Sequence, residues 1–454
     1  MKVLWLCNVM LPAIAEQLHM EASNKEGWIT GLAEVLLRRK AENGIDLAIA
    51  FPVPAELLPK DHKFLKRTVT VNNETVIGYG FAEDTVHPEH YDAGLEESMK
   101  KITGDFHPDM IHCFGTEYPH TLAMCRAYEN KKQILITIQG LCSVYANVYF
   151  ADLEEKVKRS VTFRDWLKKD TLLMQQEKYV KRGAYEIEAV KLAGNVGGRT
   201  PWDYHYALEW NPGVRYFEMR ETLRSMFYEG RWERANCIPH SIFLSQGDYP
   251  IKGFHYMLKA MPKILKKYPD AQVFVAGNSL VNYETLKDKI KISAYGKYLR
   301  QLIRENHLEG KVTILGKLTG AQMKEQYLKS HLFVCPSSIE NSPNSLGEAM
   351  ILGMPCVSAE VGGVTGIFTD GEDGILYPGC KSPANSYDRV DTCTDLEEVS
   401  DHLAEAVLAM WDDEEKQAYY CENAAGHASR NHDRDRNYAQ TVAVYTAIVS
   451  AARK

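Results

Sequence analysis

The sequence predicts an α/β protein with two Rossmann-like domains, in which strands and helices alternate and ligands meet the carboxyl edges of the sheets. Three observations carry that prediction. The 454 residues exceed what one ordinary core organises, so two domains are the expectation. Two separate alternating series of apolar strands and amphipathic helices occur, one opening at Val3 and the other at Ser241. The stretch from Phe333 to Val357, FVCPSSIENSPNSLGEAMILGMPCV, reads as buried strand, turn-rich loop, helix and strand.

In the first series, Val3 to Cys7 is a short apolar strand. A polar loop ends in Asn24-Lys25-Glu26-Gly27, and Trp28, Leu32, Val35 and Leu36 then recur at helical spacing until Gly44 stops the helix. Leu47 to Phe51 is the next strand. This is a βαβ unit, although no G-x-G-x-x-G is present. Alternation continues through Lys66 to Tyr79 and a helix from Tyr91 to Thr103, then strands at Asp109 to Cys113 and Lys132 to Gln139. Their polar ends place Glu117, His120 and Gln139 at the carboxyl edge, where such a residue is more often a turn or packing feature than a ligand contact.

Residues 154–182 carry nine Lys or Arg against five Asp or Glu, interleaved with Val157, Phe163, Trp166, Leu167 and Leu172. That is either a solvated helical insertion or a helix meeting an anionic membrane surface. Gly198-Arg199-Thr200-Pro201-Trp202-Asp203 is read as following a helix, with Arg199 and Asp203 as candidate cleft residues. Tyr204 to Asn236 shows no strand period and suits an interdomain region.

In the second series, Ser241 to Ser245 is a strand and Gln246 to Gly253 a loop. Met257, Leu258, Met261, Ile264 and Leu265 make an amphipathic helix, and Ala271 to Ala276 is a strand before Gly277. Val312 to Leu315 is another, followed by Gly316 and Lys317-Leu318. Residues 379–394 read as a surface insertion, and helices are expected over 395–412 and 434–452.

Composition narrows the function. At 45% hydrophobic and 25% charged the chain is of the soluble globular type, and no apolar segment reaches the length of a membrane span. A net charge of −7 without a basic or aromatic run argues against a nucleic-acid partner. The start, MKVLWLCNVMLPAIAEQ, imitates a secretory leader, but Asn8 and Pro12 interrupt it and cleavage would delete the first strand. Ten cysteines without C-x-x-C spacing point to reduced thiols and a cytoplasmic location. His87-Pro88-Glu89-His90 has a His-x-x-His spacing with no further ligands nearby, so no metal is expected there.

In the central stretch, Pro336, Ser337, Ser338, Asn341, Ser342 and Pro343 make the loop, and the helix begins between Ser342 and Ser345 and stops at Gly353. Either a capping box over Ser345 to Glu348 or a start at Ser342 with Pro343 at the first helical position fits. The N–H groups around Asn344, Ser345 and Leu346 then lie at the positive helix end, which suits a phosphate. Glu348 is placed to accept hydrogen bonds from sugar hydroxyls, and Glu340 lies on the preceding loop. On the residues alone, the favoured reading is Glu340 as a solvated loop residue and Glu348 as a complement to the helix dipole.

Glu340, Glu348-Ala349-Met350, Gly353, Pro355-Cys356-Val357 and Gly362-Gly363, in that order, resemble the E-x7-E region of family 4 retaining glycosyltransferases. Those enzymes have the GT-B fold, two facing Rossmann-like domains with a cleft between them. The resemblance implies an acceptor domain over 1–205 with the helix 434–454 packing back on it, an interdomain region over 206–236 and a nucleotide-sugar domain over 237–433. Lys252-Gly253 matches the family's K-G, with Lys252 neutralising the diphosphate and Glu340 contacting the transferred sugar. Gly27, Gly277, Leu318, Asn344, Ser345, Leu346 and Glu348 would hold the donor; His120, Gln139 and Arg199 would meet sugar or acceptor. The family's arginine before the lysine is missing, since Gln246-Gly247 stands there, and Gln139 replaces a common histidine.

The implied reaction is retaining transfer from a UDP- or GDP-sugar to a saccharide or lipid-linked saccharide, as in surface-polysaccharide members that share the Gly198–Asp203 segment. It would proceed without a metal or other cofactor, in the cytoplasm or at the inner face of the membrane. Alternatives are an epimerase or phosphorylase of the same fold, a catalytically silent sugar-nucleotide-binding partner, and a simple NAD-binding protein.

Overall fold

A computed structural model describes residues 1–20, 27–60, 63–71, 73–281, 285–380 and 395–453. The chain divides into two compact units, each built on its own sheet.

The first unit comprises Met1–Ser143, Lys178–Arg224 and His432–Lys454. Its strands are β1 (Lys2–Cys7), β2 (Asp46–Val53), β3 (Leu65–Val71), β4 (Glu74–Ala82), β5 (Met110–Phe114), β6 (Ile134–Thr137), β7 (Asn195–Gly198) and β8 (Arg215–Glu218). They lie in the order β3-β4-β2-β1-β5-β6-β7-β8, parallel throughout except for the antiparallel β3–β4 pair. β1 is buried after its first residue, and the near-continuous apolar run Val3–Cys7 reflects a strand covered on both faces. The start of the chain is thus the centre of a sheet.

Two apolar layers sandwich this sheet. Val3, Trp5 and Cys7 face one layer with the helix Gly27–Arg38 and the last helix, Arg434–Ala452. Leu4 and Leu6 face the other. Tyr445 anchors the last helix: its hydroxyl accepts from Trp5 Nε1 at 3.0 Å and lies 2.6 Å from His112 Nδ1. His112 Nε2 lies 3.0 Å from Thr137 Oγ1, so both ring nitrogens are engaged. Burial lowers the His112 pKa to about 3, which keeps the ring neutral.

The second unit comprises Val144–Glu177 and Ser225–Asn431. Its strands are β9 (Ile238–Leu244), β10 (Gln272–Ala276), β11 (Val312–Gly316), β12 (Ser330–Cys335), β13 (Cys356–Glu360) and β14 (Ile375–Pro378). The order is β11-β10-β9-β12-β13-β14, all parallel. The chain runs outward through β10 and β11, then returns to the other side of β9 as β12. The β9–β12 gap is therefore the switch point at which a sheet of this kind opens a crevice.

Several expectations change. Residues 144–177 pack with the second unit, where the sequence suggested an uninterrupted first domain over 1–205. Within that segment Ala151 O accepts from His255 Nε2 at 2.8 Å and Asp152 Oδ2 accepts from the Tyr256 hydroxyl at 2.8 Å. Residues 206–224 belong to the first unit, and β8 supplies its edge strand rather than an interdomain link. Gly198 ends β7 instead of following a helix, and Lys66 to Tyr79 is most of a hairpin. A helix over Glu414–Asn431 stands between the two expected near the end of the chain. The proposed insertion falls mainly on 381–394, outside the described residues, as do Asn24, Lys25 and Glu26.

Candidate active site in the second unit

The carboxyl ends of β9 and β12 build the site. After β9 the chain makes a short 3-10 turn, Pro250–Lys252, and Gly253 in the left-handed region (φ 68°) starts the helix Phe254–Lys267. A Cβ on Gly253 would lie 1.8 Å from the Pro336 carbonyl oxygen, so only glycine lets this turn meet the loop after β12. Ser338 N donates to Ile251 O at 2.8 Å and fastens the two together.

Across this contact the Lys252 ammonium donates to Glu340 Oε1 at 2.5 Å. Ser337 Oγ donates to the same oxygen at 2.6 Å. Glu340 is 7% exposed, so the solvated-loop alternative does not describe it. Burial works against the Lys252 charge, but the Glu340 carboxylate outweighs it, and the lysine pKa is held above its ordinary value. Lys252 thus keeps its proton. From below, Gly363 N donates to Glu340 O at 2.9 Å, and a Cβ on Gly362 would sit 2.1 Å from that oxygen. The two glycines let the β13 loop support the Glu340 backbone.

The helix Asn344–Ile351 follows. The start lies within the Ser342–Ser345 range read from the sequence, but Pro343 is the N-cap and no side chain caps the helix, so neither of the two capping arrangements is the observed one. Leu346 N and Gly347 N both donate to Pro343 O, at 3.0 and 3.2 Å. That removes the Leu346 N–H from the ligand-facing set and leaves the N–H groups of Asn344 and Ser345 without an acceptor among the described residues. Glu348 is 5% exposed; its Oε2 lies 3.5 Å from the hydroxyl of buried Tyr327, which also donates to Ser345 O at 2.9 Å.

Two other predicted positions frame this edge. Gly277 ends β10 with φ 113°, and a Cβ there would lie 1.9 Å from Asp248 Oδ1. Asp248 also accepts from Asn278 N and Nδ2, both at 2.8 Å. Leu318, half-buried, follows β11 just before Thr319 caps the next helix.

The remaining predicted residues lie in the first unit. Gly27 opens its helix against Arg224, whose Cδ would be 2.5 Å from an added Cβ. His120 is fully buried, with Nδ1 2.7 Å from Glu83 Oε2 and Nε2 3.1 Å from Asn8 Oδ1; both ring nitrogens are engaged, and the residue orders the sheet edge rather than facing a ligand. Arg199 is a clamp: it donates to Ile138 O at 2.9 Å and Gln139 O at 3.1 Å and pairs with Glu221. Asp203 completes a capping box with Thr200 and accepts from Arg199 N at 2.7 Å. Gln139 is half-buried beside them.

Sequence reasoning missed Ser337 and Tyr327. Ser337 sat in a run read only as a turn, and Tyr327 is far from the motif in sequence; no local signal marks either. Among the described residues no group of three or more His, Cys, Asp or Glu is arranged to hold a metal ion. The closely spaced Asp433 and Asp435 are accounted for otherwise: Asp433 caps the last helix through Arg436 N, and Asp435 pairs with Arg39.

Residues 240–410, inside the second unit, match the family described as glycosyl transferases group 1. The second unit is a group 1 glycosyltransferase domain of the family 4 type. With the first unit, this domain makes the two parallel-sheet Rossmann-like domains of the GT-B fold. A glycosyltransferase of Methanocaldococcus jannaschii without an assigned role is 28% identical over 182 residues, 40% of each chain. The phosphatidyl-myo-inositol mannosyltransferase of Mycobacterium tuberculosis is 25% identical over 215 residues, 47% of this chain and 48% of that one. The matches therefore span less than half the length of these curated relatives. Among solved structures, sucrose-phosphate synthase from Thermosynechococcus elongatus has a TM-score of 0.67 at 16% identity, covering 99% of this chain and all of that one. HepE of Anabaena, in complex with UDP-glucose, has a TM-score of 0.62 at 16% identity, covering 98% and 99%. Both likenesses concern the fold.

Proposed function

We propose that the protein is a retaining glycosyltransferase that moves a sugar from a nucleoside diphosphate sugar to a saccharide hydroxyl. The observation that carries this reading is the Lys252–Glu340 pair at the β9–β12 switch point, next to a helix start with two unclaimed N–H groups. A diphosphate leaving group needs positive charge where its own charge develops, and those three donors are arranged to supply it. The HepE structures hold UDP and UDP-glucose, which supports a nucleotide-sugar as the donor class here.

In this reading the Lys252 ammonium turns from Glu340 to the diphosphate as donor binds, and the Asn344 and Ser345 N–H groups meet its outer oxygens. Glu348 accepts from the ribose hydroxyls. Glu340, released from Lys252 but still held by Ser337 Oγ, faces the sugar and favours the positive character that its anomeric carbon acquires. The carbon–oxygen bond to phosphate breaks, the acceptor oxygen bonds the same carbon on the same face, and its proton passes to the departing phosphate oxygen. The chain itself supplies the cationic role, so no metal enters this scheme.

The test is thermal unfolding with EDTA present across UDP, GDP, ADP, NAD and nucleotide-sugars. A ligand at about a hundred times its Kd stabilises by roughly 2.7 kcal/mol, a readable shift. Selective stabilisation by UDP or GDP, followed by release of that nucleotide from its sugar only when acceptor is added, is the expected result. No shift at millimolar nucleotide would overturn the reading. Binding without turnover across acceptors would instead favour a silent sugar-nucleotide-binding partner, the alternative that the absent arginine at Gln246-Gly247 supports.

A further inference from the structure

The second unit carries an apolar surface that the proposed chemistry does not use. Val161 and the short helix Phe163–Lys168 expose Val161 57%, Phe163 59%, Trp166 67% and Leu167 63%. The helix Leu286–Lys291, which packs beside that helix, exposes Leu286 78% and Ile290 52%. Five of the fourteen large apolar side chains exposed among the described residues thus lie in two adjoining short helices, and Val161 just ahead of the first makes a sixth. Trp166 Nε1 has no hydrogen-bond acceptor among the described residues.

The charge around this surface is one-sided. Asp165 is buried and accepts from Ala294 N at 2.8 Å, from Thr162 N at 3.3 Å and from Arg164 at 2.9 Å. Asp288 is likewise committed to capping, accepting from Thr285 N at 3.0 Å and Thr285 Oγ1 at 2.7 Å. The carboxylates of both helices therefore work inward as caps. Lys168, Lys169 and Lys291 are exposed and pair with no carboxylate among the described residues. On a chain of net charge −7, such a basic rim around exposed aromatic and aliphatic side chains is a local exception.

We propose that this two-helix surface docks on an anionic lipid bilayer. Trp, Phe and Leu fit the interfacial layer, where an indole N–H finds headgroup acceptors, and the lysines fit the negative headgroups. A second copy docking face to face would set the two lysine rims against each other, and a neutral apolar partner would leave them unused. The inference stands on this surface alone and does not depend on the reaction proposed above.

The experiment is vesicle flotation of the full chain, with pure phosphatidylcholine or phosphatidylcholine containing about a third phosphatidylglycerol. The protein is expected to float with the anionic vesicles only, and less so as salt rises to about 0.5 M. Trp166→Ala with Leu167→Ala is expected to lower binding tenfold or more, whereas Trp166→Phe retains most of it. Lys168→Gln with Lys169→Gln is expected to lower it roughly thirtyfold, at about fivefold per lysine. Circular dichroism melts unchanged in all variants separate loss of docking from loss of fold. Failure of the parent protein to float, or equal flotation of parent and variants, overturns the proposal. So does a concentration-dependent dimer in sedimentation that the Trp166–Leu167 double variant abolishes.

Discussion

Glu340 shows how one side chain can serve two states. Without ligand its carboxylate neutralises a half-buried ammonium; with donor bound it is read as supporting a developing cation. Glu340→Gln removes a negative charge from an anion site, so UDP affinity measured by calorimetry should be unchanged or tighter. Sugar transfer should nevertheless fall about a hundredfold or more, the scale of a lost transition-state contact. Equal turnover of variant and parent would remove Glu340 from the chemistry. Lys252→Ala should act in the opposite sense, weakening UDP binding by roughly ten- to a hundredfold for one charge-assisted hydrogen bond. Gly253→Ala tests geometry rather than charge. An added methyl 1.8 Å from Pro336 O, on a backbone at φ 68°, forces the β9 turn off the β12 loop. The melt should drop by about 1–3 kcal/mol, and UDP should no longer stabilise the protein.

At the scale of the element, the helix Asn344–Ile351 keeps its positive end uncapped, which is a cost in stability that a ligand can offset. Ser345→Glu should therefore have opposite effects on two measurements. A carboxylate in the first turn complements the helix dipole and should hold or raise the melt by about 0.3–1 kcal/mol. It should also repel a diphosphate and weaken UDP binding by an order of magnitude; an unchanged affinity would place the phosphate elsewhere.

The same helix shows what the sequence could reveal. Its existence, its stop at Gly353 and the two glutamates were legible, because glycine, proline and apolar spacing act locally. Its cap was not, since whether Leu346 N–H bonds Pro343 O depends on one backbone angle. β7 and β8 were lost for a related reason: four-residue strands leave no period to read, and Asn195-Val196-Gly197-Gly198 carries little β propensity. Residues 144–177 were assigned to the wrong unit because their place is fixed by partners such as His255 and Tyr256, a hundred residues further on. Ser337 was unread because a hydroxyl aimed at a carboxylate looks, in sequence, like any turn serine.

At the scale of the whole molecule, the buried titratable groups are divided unevenly between the two units. The second unit holds His255 and His331, whose pKa values burial lowers to about 4. An unfolded histidine binds its proton near pH 6.5, so below that pH the unfolded chain gains protons that the folded unit refuses. Each histidine then removes about 1.4 kcal/mol of stability per pH unit as pH falls from 6.5 towards 4. The first unit holds His112, which acts in the same direction, but also Glu186 and Asp203, whose pKa values burial raises to about 7 and about 6. A raised carboxylate has the opposite sign: its folded form takes up a proton first, so stability grows as pH falls from the folded pKa towards the unfolded one. Between about pH 6 and pH 4.5 the two carboxylates of the first unit outweigh its one histidine, while the two histidines of the second unit act towards a loss of about 3 kcal/mol per pH unit, opposed in part by Asp152, whose pKa burial raises. Mild acid should therefore open the second unit selectively. Hydrogen exchange at pH 7 and pH 5, corrected for intrinsic rates, should show protection falling in β9, β10 and β12 while β1 and β5 keep theirs. His255→Gln should flatten the second unit's loss by about half, and uniform loss of protection across both sheets would show that burial of these groups does not govern acid stability here.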